Sequence, residues 1–530
     1  MSLKTWINKR NTLLRIGIAA IAAPSLIAQT PAPIAITPSG MAKIATVDPR
    51  FLSYNVEMVE VTGGRFWKPY NSTAVTLAPS GNQPAGLDPN LFEYRPPIDL
   101  SNSRLRNLAA ALGPVYVRVS GTWENTTYFQ NDDGPALQQP PEGFKSVLTR
   151  PEWKAVVGFS RAINAKIVTS VAVSDGARDP AGLWTPAQAK SLFDYTRSLG
   201  ATIAAAEFMN EPTFAILGGA PKGYDAAAFA KDVRVFDAFL RKQSPKTIFL
   251  GPGSVGEGVS LLPSGAAMKL IASEDMLKAT GPIFDAFSYH YYGKASKRCG
   301  STLTLDQALT SDWLDRTDTV EAFYASLRDK YLPGKPMWLT ETAEAACGGD
   351  PLAGQFVDSF RYLNQLGSLA QKGVQVVMHN TLASSDYGLL TSETYLPRPN
   401  YWASVLWNRT MGSIVLNPQP NPMSPNDTGL RFYAQCMKGN HTGGVTLLAL
   451  NTDSHHSAAI SLPNDATRYT LSATSLDSDR IALNGTRLDP AADGTLPAMN
   501  GQKVAAGTLQ LAPASITFLT LPSAANHACM

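Results

Sequence analysis

The chain has 530 residues, of which 44% are hydrophobic and 16% are charged, a composition typical of a folded protein and not of a disordered one. This length exceeds what one ordinary core requires, so we expect a large domain and a smaller one. The formal net charge is only +3, with no dense Lys/Arg run beyond the first residues. We therefore expect no nucleic acid partner and no polyanion held by charge alone.

The first 28 residues have the layout of a secretory signal. Four basic residues precede an apolar segment from Ile16 to Ala28. This segment is too short to span a bilayer comfortably. Cleavage near Ala28 would remove four of the 45 basic residues and leave 41 against 42 acidic ones, so the mature protein would be about neutral. We expect a secreted or periplasmic protein without stable membrane association. The alternative to a cleaved signal is an N-terminal membrane anchor that is not removed.

The four cysteines are Cys299, Cys347, Cys436 and Cys529. An even number in a chain with an export signal permits two disulfides in an oxidising compartment, and spacing alone leaves all three pairings open. No Cys-x-x-Cys pair occurs, so the sequence does not support a zinc ribbon. We expect neither a metal nor a cofactor.

Eight strand-like segments alternate with helix-like segments between residues 51 and 380. The strand-like segments are Phe51–Met58, Tyr116–Gly121, Ala165–Val173, Ala204–Pro212, Thr247–Gly251, Ala286–Tyr292, Pro336–Thr342 and Val374–Asn380. This alternation predicts an α/β fold, a (β/α)8 TIM barrel. A doubly wound open sheet is the alternative, although the usual Gly-rich turn after the first strand is missing.

The pattern changes past residue 400 to short alternating runs separated by turn residues. The runs are Val445–Asn451, Ala458–Leu462, Tyr469–Ala473 and Ile516–Leu521. They predict a C-terminal antiparallel β-sandwich. The expected organisation is a signal over 1–28, a linker and N-terminal strand that joins the sandwich over 29–47, the catalytic barrel over 48–400 and the sandwich over 401–530.

Two carboxylates stand out because each follows an apolar, buried-looking strand. Glu211 ends the run Ala204–Pro212, and Glu341 follows Met337-Trp338-Leu339. On strands four and seven of a barrel, both would face one mouth at the carboxyl ends of the strands. A helix cap or an ion pair would explain one of them, but two carboxylates flanking a bond are what glycoside hydrolysis needs.

The neighbours of these two residues suggest different roles. Glu341 has possible hydrogen-bond donors in His290 and Tyr292, which favours the ionised nucleophile. Glu211 lies beside apolar residues, which favours a proton donor that later serves as the base. Asn210 carries an amide suited to a sugar hydroxyl. The other strand ends expected at the mouth are Glu57, Thr122, His379 and Asn380.

Several motifs resemble those of glycoside hydrolase family 79, the heparanase and β-glucuronidase family within the clan A retaining (β/α)8 glycosidases. The resemblance covers nearly the whole mature chain. The motifs are DPRFLSYNVEM at 48–58, YVRVSGT at 116–122, FMNEP at 208–212, FDAFSYHYY at 284–292, WLTETAEAACGG at 338–349, VVMHN at 376–380 and NYWASVLW at 400–407.

This resemblance implies a role for each candidate residue. Glu211 takes the place of the acid/base and Glu341 that of the nucleophile, while Glu57 matches an acidic position that contacts the sugar. The backbone amides of Gly348 and Gly349, with the Tyr387 side chain, match positions that hold the uronate carboxylate. The further pocket positions are Thr122, Asn210, His290 and Tyr292. The family pairing implies a disulfide between Cys436 and Cys529.

Two departures from the family pattern occur near Glu341. The segment between Glu341 and Gly348 is one residue longer than in the heparanases, and Cys347 stands where an aromatic Tyr is expected. The basic clusters with which vertebrate heparanases hold a sulfated chain are also not evident.

The expected function is therefore a retaining β-glucuronidase that removes β-linked D-glucuronic acid from glycosides or from glycosaminoglycan or plant-type oligosaccharides. Its partner would be a carbohydrate that contains glucuronic acid. The alternatives are a heparanase-like endo-β-glucuronidase, a retaining xylosidase or another clan activity, and a non-catalytic carbohydrate-binding homologue on a degenerate barrel.

Overall fold

The computed structural model describes residues 32–70, 88–261, 270–418 and 429–530. The expected signal over 1–28 lies outside these ranges. No helix within them combines the length and the apolar character that a membrane span requires.

Eight parallel strands form the closed barrel that the sequence predicts. They are β1 (Leu52–Glu57), β2 (Val115–Ser120), β3 (Ala165–Thr169), β4 (Ile203–Glu207), β5 (Ile248–Ser254), β6 (Ala286–Tyr292), β7 (Met337–Ala343) and β8 (Val376–His379). The last strand pairs with the first, with Val377 opposite Leu52. This closure rules out the doubly wound open sheet.

Helices follow the strands around the barrel. They are Met58–Thr62, Ser103–Ala110, Arg150–Ala162, Ala187–Ser198, Ala226–Gln243, Ser273–Thr280, Ser311–Leu314, Arg316–Tyr331, Phe356–Gln371 and Pro399–Thr410. Arg150–Ala162 begins with a capping box, in which Thr149 Oγ1 accepts from the Glu152 backbone N–H and the Glu152 carboxylate accepts from the Thr149 N–H.

Two short strand pairs interrupt the barrel connections. Gly64–Trp67 pairs antiparallel with Phe92–Arg95 after β1, and Thr127–Gln130 pairs in parallel with Ser146–Thr149 after β2. The sequence patterns did not predict these pairs. The first of them brings the Trp67 and Phe92 rings together, with centroids 4.4 Å apart.

The remaining strands form two sheets that face each other across a second apolar core. The nine-stranded sheet contains Lys43–Thr46, Met411–Leu416, Leu430–Met437, Val445–Asn451, Ser515–Leu521, Ala466–Ser472, Ala482–Leu483, Thr486–Arg487 and Gln502–Val504. The three-stranded sheet contains Ile34–Ala35, Ala458–Leu462 and Gly507–Leu511. The predicted sandwich is therefore present, and residues on the amino-terminal side of the barrel supply one strand to each sheet.

The sandwich packs against the helix that follows β7. The Tyr433 hydroxyl donates to Asn364 Oδ1 at 2.6 Å. Gly367 leaves room for the Tyr433 ring, since a Cβ at this position would lie 2.2 Å from it. Residues 33–530 form one compact unit, and within it the helix Phe356–Gln371 is buried along nearly its whole length.

Both pairs of cysteines are bonded. Cys436 joins Cys529 and ties the carboxyl terminus to the sandwich, which is the pairing that the family resemblance implies. Cys299 joins Cys347 and thereby links the loop after β6 to the loop after β7.

Candidate active site

A cavity of about 320 Å³ opens at the carboxyl ends of the barrel strands. Seven of the residues singled out from the sequence line it: Glu57, Thr122, Asn210, Glu211, Tyr292, Glu341 and Tyr387. Asn380, also expected at the mouth as a strand end, is the eighth. His379 was expected at the mouth but is buried and bonded through Nε2 to the Tyr387 carbonyl at 2.7 Å. Most of the expected strand ends therefore do converge on one site.

Glu211 does not lie on the strand itself. Strand β4 ends at Glu207, four residues earlier, and Glu211 has a left-handed backbone with φ 49° and ψ 61°. The Asn125 side chain holds the preceding residue from both sides: its Oδ1 accepts from Asn210 N at 2.9 Å and its Nδ2 donates to Asn210 O at 3.0 Å. Such a backbone costs on the order of 1–3 kcal/mol and persists only where its surroundings enforce it.

Glu211 and Glu341 face each other across the cavity. One carboxylate oxygen of each lies within 4.8 Å of the other. Retaining glycosidases hold their two carboxyl groups about 5–5.5 Å apart, whereas inverting enzymes need roughly 6.5–9.5 Å to admit a water. The separation therefore fits a double displacement.

Two donors point at the two oxygens of Glu341. Arg118 Nη1 donates to Oε2 at 2.8 Å, and the Tyr292 hydroxyl donates to Oε1 at 2.5 Å. The expected donor His290 lies farther away, with Nδ1 3.8 Å from Oε2. Both carboxylate oxygens of Glu341 are thus fixed by hydrogen bonds, one of them from a cation.

His290 instead contacts Glu211. Its Nδ1 lies 3.1 Å from Glu211 Oε1, and its Nε2 lies 3.3 Å from Arg118 Nη2. Because the guanidinium only donates, we assign the ring proton to Nδ1, which then donates to Glu211. Burial and the neighbouring Arg118 lower the pKa of His290 to about 4, despite the raising effect of nearby carboxylates. The ring is therefore neutral near pH 7.

The pKa of Glu211 is raised to about 7. Burial is the main cause, while the positive charge of Arg118 opposes it and the negative charge of Glu207 adds to it. A carboxyl group with this pKa remains partly protonated at neutral pH. It is thus suited to give a proton to a leaving oxygen.

Arg118 and Glu207 belong to the candidate site, and the sequence patterns did not single them out. Arg118 lies on β2 with 1% of its surface exposed, and it donates through Nε to Glu207 Oε2 at 3.0 Å and through Nη2 to Asn210 Oδ1 at 2.7 Å. Burial acts to raise the pKa of Glu207, but Arg118, His290 and a hydrogen bond from Thr340 hold it below its usual value. The available signal was a charged residue inside an otherwise largely apolar run of sequence, in both YVRVSG and AAAEF.

A second group of polar atoms surrounds Asn380 on the β8 and β1 side of the cavity. Asn380 Nδ2 lies 3.0 Å from Glu57 Oε1, 3.1 Å from the Tyr292 hydroxyl and 3.2 Å from the Tyr387 hydroxyl. Burial and the negative charge of Glu341 raise the pKa of Glu57 well above its usual value. Its Oε2 has no hydrogen-bond partner within the described ranges and is buried against Gly121, where a Cβ would lie 1.6 Å from it.

The loop after β7 has an unusual backbone. Cys347, Gly348 and Gly349 have φ values of 61°, 78° and 82°. Arg298 Nη1 donates to the Cys347 carbonyl at 3.2 Å and to the Gly349 carbonyl at 3.0 Å. Within the described part of the chain, the N–H groups of these three residues donate to no acceptor. Gly348 and Gly349 themselves are not among the residues that line the cavity, whereas Cys347 is.

The positive charge of Arg118 argues against a metal at the two carboxylates. Glu211, His290 and Glu341 offer ligand atoms within 4.8 Å of one another, a spacing that a metal ion could use. However, Arg118 already occupies Oε2 of Glu341. A second cation there would be repelled, so the donor set fits proton transfer and nucleophilic attack better than metal binding.

A closed (β/α)8 barrel with two facing carboxyl groups at the carboxyl ends of β4 and β7 defines the class of (β/α)8 glycoside hydrolases. Residues 97–367, about half of the chain, match the model of glycosyl hydrolase family 79, N-terminal domain. The chain belongs to glycosyl hydrolase family 79, and it is a glycosidase.

Individual relatives agree with this assignment. The chain is 26% identical to heparanase of Mus musculus over 487 residues, which cover 81% of this chain and 88% of that protein. It is 26% identical to baicalin-beta-D-glucuronidase of Scutellaria baicalensis over 467 residues, 80% of this chain and 84% of that protein. Among solved structures, a 4-O-alpha-L-rhamnosyl-beta-D-glucuronidase from Fusarium oxysporum aligns with a TM-score of 0.60 over 92% of this chain and 99% of that one, at 12% identity. This last similarity supports the fold.

Proposed function

We propose that the protein is a retaining exo-β-glucuronidase in which Glu341 is the nucleophile and Glu211 the acid/base. The observation that carries this proposal is a pair of carboxyl groups with oxygens within 4.8 Å of each other. The Glu341 carboxylate accepts from Arg118 and Tyr292, and the pKa of Glu211 is raised to about 7. The raised pKa of Glu211 suits a proton donor, and the hydrogen bonds to Glu341 fix its carboxylate for attack.

The first step forms a covalent intermediate. Glu341 attacks the anomeric carbon while the bond from that carbon to the leaving oxygen breaks, and Glu211 gives its proton to that oxygen. In the second step Glu211 takes a proton from water, and the resulting hydroxide displaces Glu341 with net retention. His290 keeps its proton on Nδ1 throughout, and its hydrogen bond holds the Glu211 carboxyl in place.

The sugar lies on the side of Glu341 in this proposal. Glu57 and Asn380 are next to it in the barrel and contact the hydroxyl groups, while Tyr387, which lies against Gly349, is on the side of the uronate carboxylate. The Asn210 amide, with Oδ1 bonded to Arg118, presents Nδ2 toward Thr122 and the cavity. It thus offers a donor to the hydroxyl group beside the reacting carbon.

The specificity for a uronate rests on the loop 347–349. Three successive residues of this loop have positive φ, and their N–H groups have no acceptor within the described ranges, so the backbone offers donors for a carboxylate. The names of two relatives, heparanase and a β-D-glucuronidase that acts on baicalin, support a uronide substrate. An endo mode on a sulfated chain fits less well because the residues lining the cavity include no Lys or Arg within the described ranges.

A secreted or periplasmic location belongs to the same proposal. Both disulfides indicate folding in an oxidising compartment. The expected signal over 1–28 would direct the chain there.

Labelling with 2-deoxy-2-fluoro-β-D-glucuronyl fluoride tests the mechanism. The reagent should form a stable adduct, detected by mass spectrometry on the peptide that contains Glu341, and Glu341→Gln should take up no label. Wild-type turnover of aryl β-glucuronides by Glu341→Gln, or a label on a different carboxylate, would refute the assignment. Hydrolysis of aryl β-xylosides but not of aryl β-glucuronides would favour another clan activity, and sugar binding without turnover a non-catalytic role.

A further inference from the structure

The position of Glu211 shows which part of the cavity must receive the leaving group. The leaving oxygen has to lie within reach of the proton donor, and Glu211 follows β4. Glu57, Asn380 and Tyr387 lie on the opposite side, next to Glu341 on β7. The group attached to the sugar therefore occupies the part of the cavity that the loops after β4 and β5 enclose.

This part of the cavity has an apolar wall, formed by Phe214 and Leu217 after β4 and by Val255 and Leu261 after β5. We call these four residues the leaving-group wall. The Phe214 N–H donates to the Glu211 carbonyl at 2.9 Å, so Phe214 is held next to the proposed acid Glu211. Leu217 is 39% exposed, and it lines the cavity.

One hydroxyl fixes the two halves of the wall to each other. Thr213 Oγ1 donates to the Val255 carbonyl at 3.0 Å and accepts from the Val255 N–H at 3.1 Å. Phe214 also packs on Gly256, where a Cβ would lie 3.1 Å from the ring. The apolar surface is therefore preformed and does not depend on a bound molecule.

The charge in the cavity agrees with the shape of the wall. Within the described ranges, the acidic and basic residues that line the cavity are Glu57, Glu211 and Glu341, so no Lys or Arg side chain is among them. A leaving unit with sulfate or carboxylate groups would find no cation there and would face these carboxyl groups. A preformed apolar wall at a small-molecule site instead stabilises an apolar, ring-shaped group.

We propose that the enzyme acts on β-glucuronides with an uncharged aromatic leaving group, which packs on the leaving-group wall. This inference rests on the proposed function. It names the substrate class that the two carboxylates serve: small-molecule aryl or arylalkyl glucuronides, and not the interior of a sulfated polysaccharide.

Methyl and 2-naphthylmethyl β-D-glucuronide test this proposal. Both release a primary alcohol of similar acidity, so a difference in kcat/KM reports contacts with the ring and not the quality of the leaving group. We expect kcat/KM for the naphthylmethyl compound to exceed that for the methyl compound by at least tenfold. Equal values, or a higher value for a 6-O-sulfated glucuronyl-glucosamine disaccharide, would overturn the proposal.

Matched variants locate the effect. Leu217→Ser should reduce the naphthylmethyl-to-methyl ratio at least threefold, whereas Leu183→Ser, at a leucine that is also 39% exposed but lies outside this cavity, should leave the ratio unchanged. Equal ratios in Leu217→Ser and the wild type would refute the role of the wall. If the wild type hydrolyses none of these compounds and not β-D-glucuronyl fluoride either, the proposed function itself fails.

Discussion

His290 Nδ1 lies 3.1 Å from Glu211 Oε1, so the acid is hydrogen-bonded to a ring that remains neutral at the pH at which it works. The same ring accepts from Arg118 through Nε2. This contact was not expected from the sequence, which placed His290 beside Glu341. It makes His290 a positioning residue for the acid/base.

The first prediction concerns the alkaline side of the pH profile. Glu211 must be protonated to act as an acid, and its pKa is about 7. The value of kcat/KM for methyl β-D-glucuronide should therefore fall as pH rises through about 7. His290, with a pKa of about 4, should add no second break between pH 5 and 9. A profile that stays flat up to pH 9 would contradict the assignment.

The second prediction concerns His290→Phe. This change keeps a ring of similar size but removes the N–H that points at Glu211. A hydrogen bond to the ionised form of a carboxyl group lowers its pKa, so its loss should raise the pKa of Glu211. We expect the alkaline break in kcat/KM to move upward by about one pH unit. An unchanged break, with kcat reduced, would mean that the ring only fills space.

The third prediction separates the roles of the two carboxylates. Acid catalysis typically contributes about 10²–10⁴-fold, so Glu211→Ala should lose that much in kcat for methyl β-D-glucuronide. It should still cleave 2,4-dinitrophenyl β-D-glucuronide, whose leaving group needs no proton. Azide should then accelerate turnover and yield β-D-glucuronyl azide.

Glu341→Ala provides the reciprocal test. Azide that enters on the side of the missing nucleophile should yield α-D-glucuronyl azide from the dinitrophenyl substrate. If the two variants gave the opposite anomers, the roles of Glu211 and Glu341 would be exchanged.

The barrel could be predicted from the sequence because its strands are short apolar runs at regular intervals. Ala286–Tyr292, for example, was predicted with the bounds that the structure has. The sequence pattern predicts Glu211 at the end of its strand, but the strand ends at Glu207. The run Ala204–Pro212 gives no signal that the strand pairing stops there. The left-handed turn between them depends on Asn125, which is remote in sequence and reaches Asn210 through its side chain.

The members of the site could be predicted more easily than their contacts. Strand ends identify Glu57, Asn210 and Glu341, because the topology of a barrel brings such ends together. Which donor meets which carboxylate depends on side-chain directions across the barrel, and Arg118 bridges β2, β4 and β7 in a way that no local pattern shows. For the same reason the sequence left open whether Cys299 and Cys347 form a disulfide.

The fourth prediction concerns Arg118→Met. The variant would leave Glu207 and Glu341 buried without their counter-charge, so we expect it to lose about 3–5 kcal/mol of stability and nearly all activity. Arg118→Met combined with Glu207→Leu should recover part of the stability but none of the activity, because Glu341 and Asn210 remain without their partner. Thermal unfolding and turnover would be measured on the same preparations.

Arg241→Met is the matched control. Arg241 also contacts two carboxylates, Asp237 and Asp285, but its side chain is 41% exposed. Such exposed pairs contribute only about 0–1 kcal/mol. If Arg118→Met were no less stable than Arg241→Met, the buried network would not contribute to stability as proposed.

The fifth prediction uses the two disulfides as a pair. Cys299 is next in sequence to Arg298, and its bond to Cys347 fixes the loop whose N–H groups are proposed to hold the uronate. Replacing both Cys299 and Cys347 by Ser should raise KM for methyl β-D-glucuronide by about tenfold, because a mobile loop pays more ordering free energy on binding. The value of kcat should change less, because Glu211 and Glu341 are held by Arg118, Tyr292 and His290 and not by this loop.

Replacing both Cys436 and Cys529 by Ser removes a bond of similar kind in the sandwich, away from the cavity. Loss of either disulfide should cost roughly 2–5 kcal/mol of stability. Only the double variant of Cys299 and Cys347 should change KM. The preference for a β-glucuronide over the matching β-glucoside should also fall only in that variant. The glucoside has no carboxylate, so its binding does not depend on the loop 347–349. Equal KM values in both double variants would show that the loop keeps its shape without the bond, and that Arg298 alone positions it.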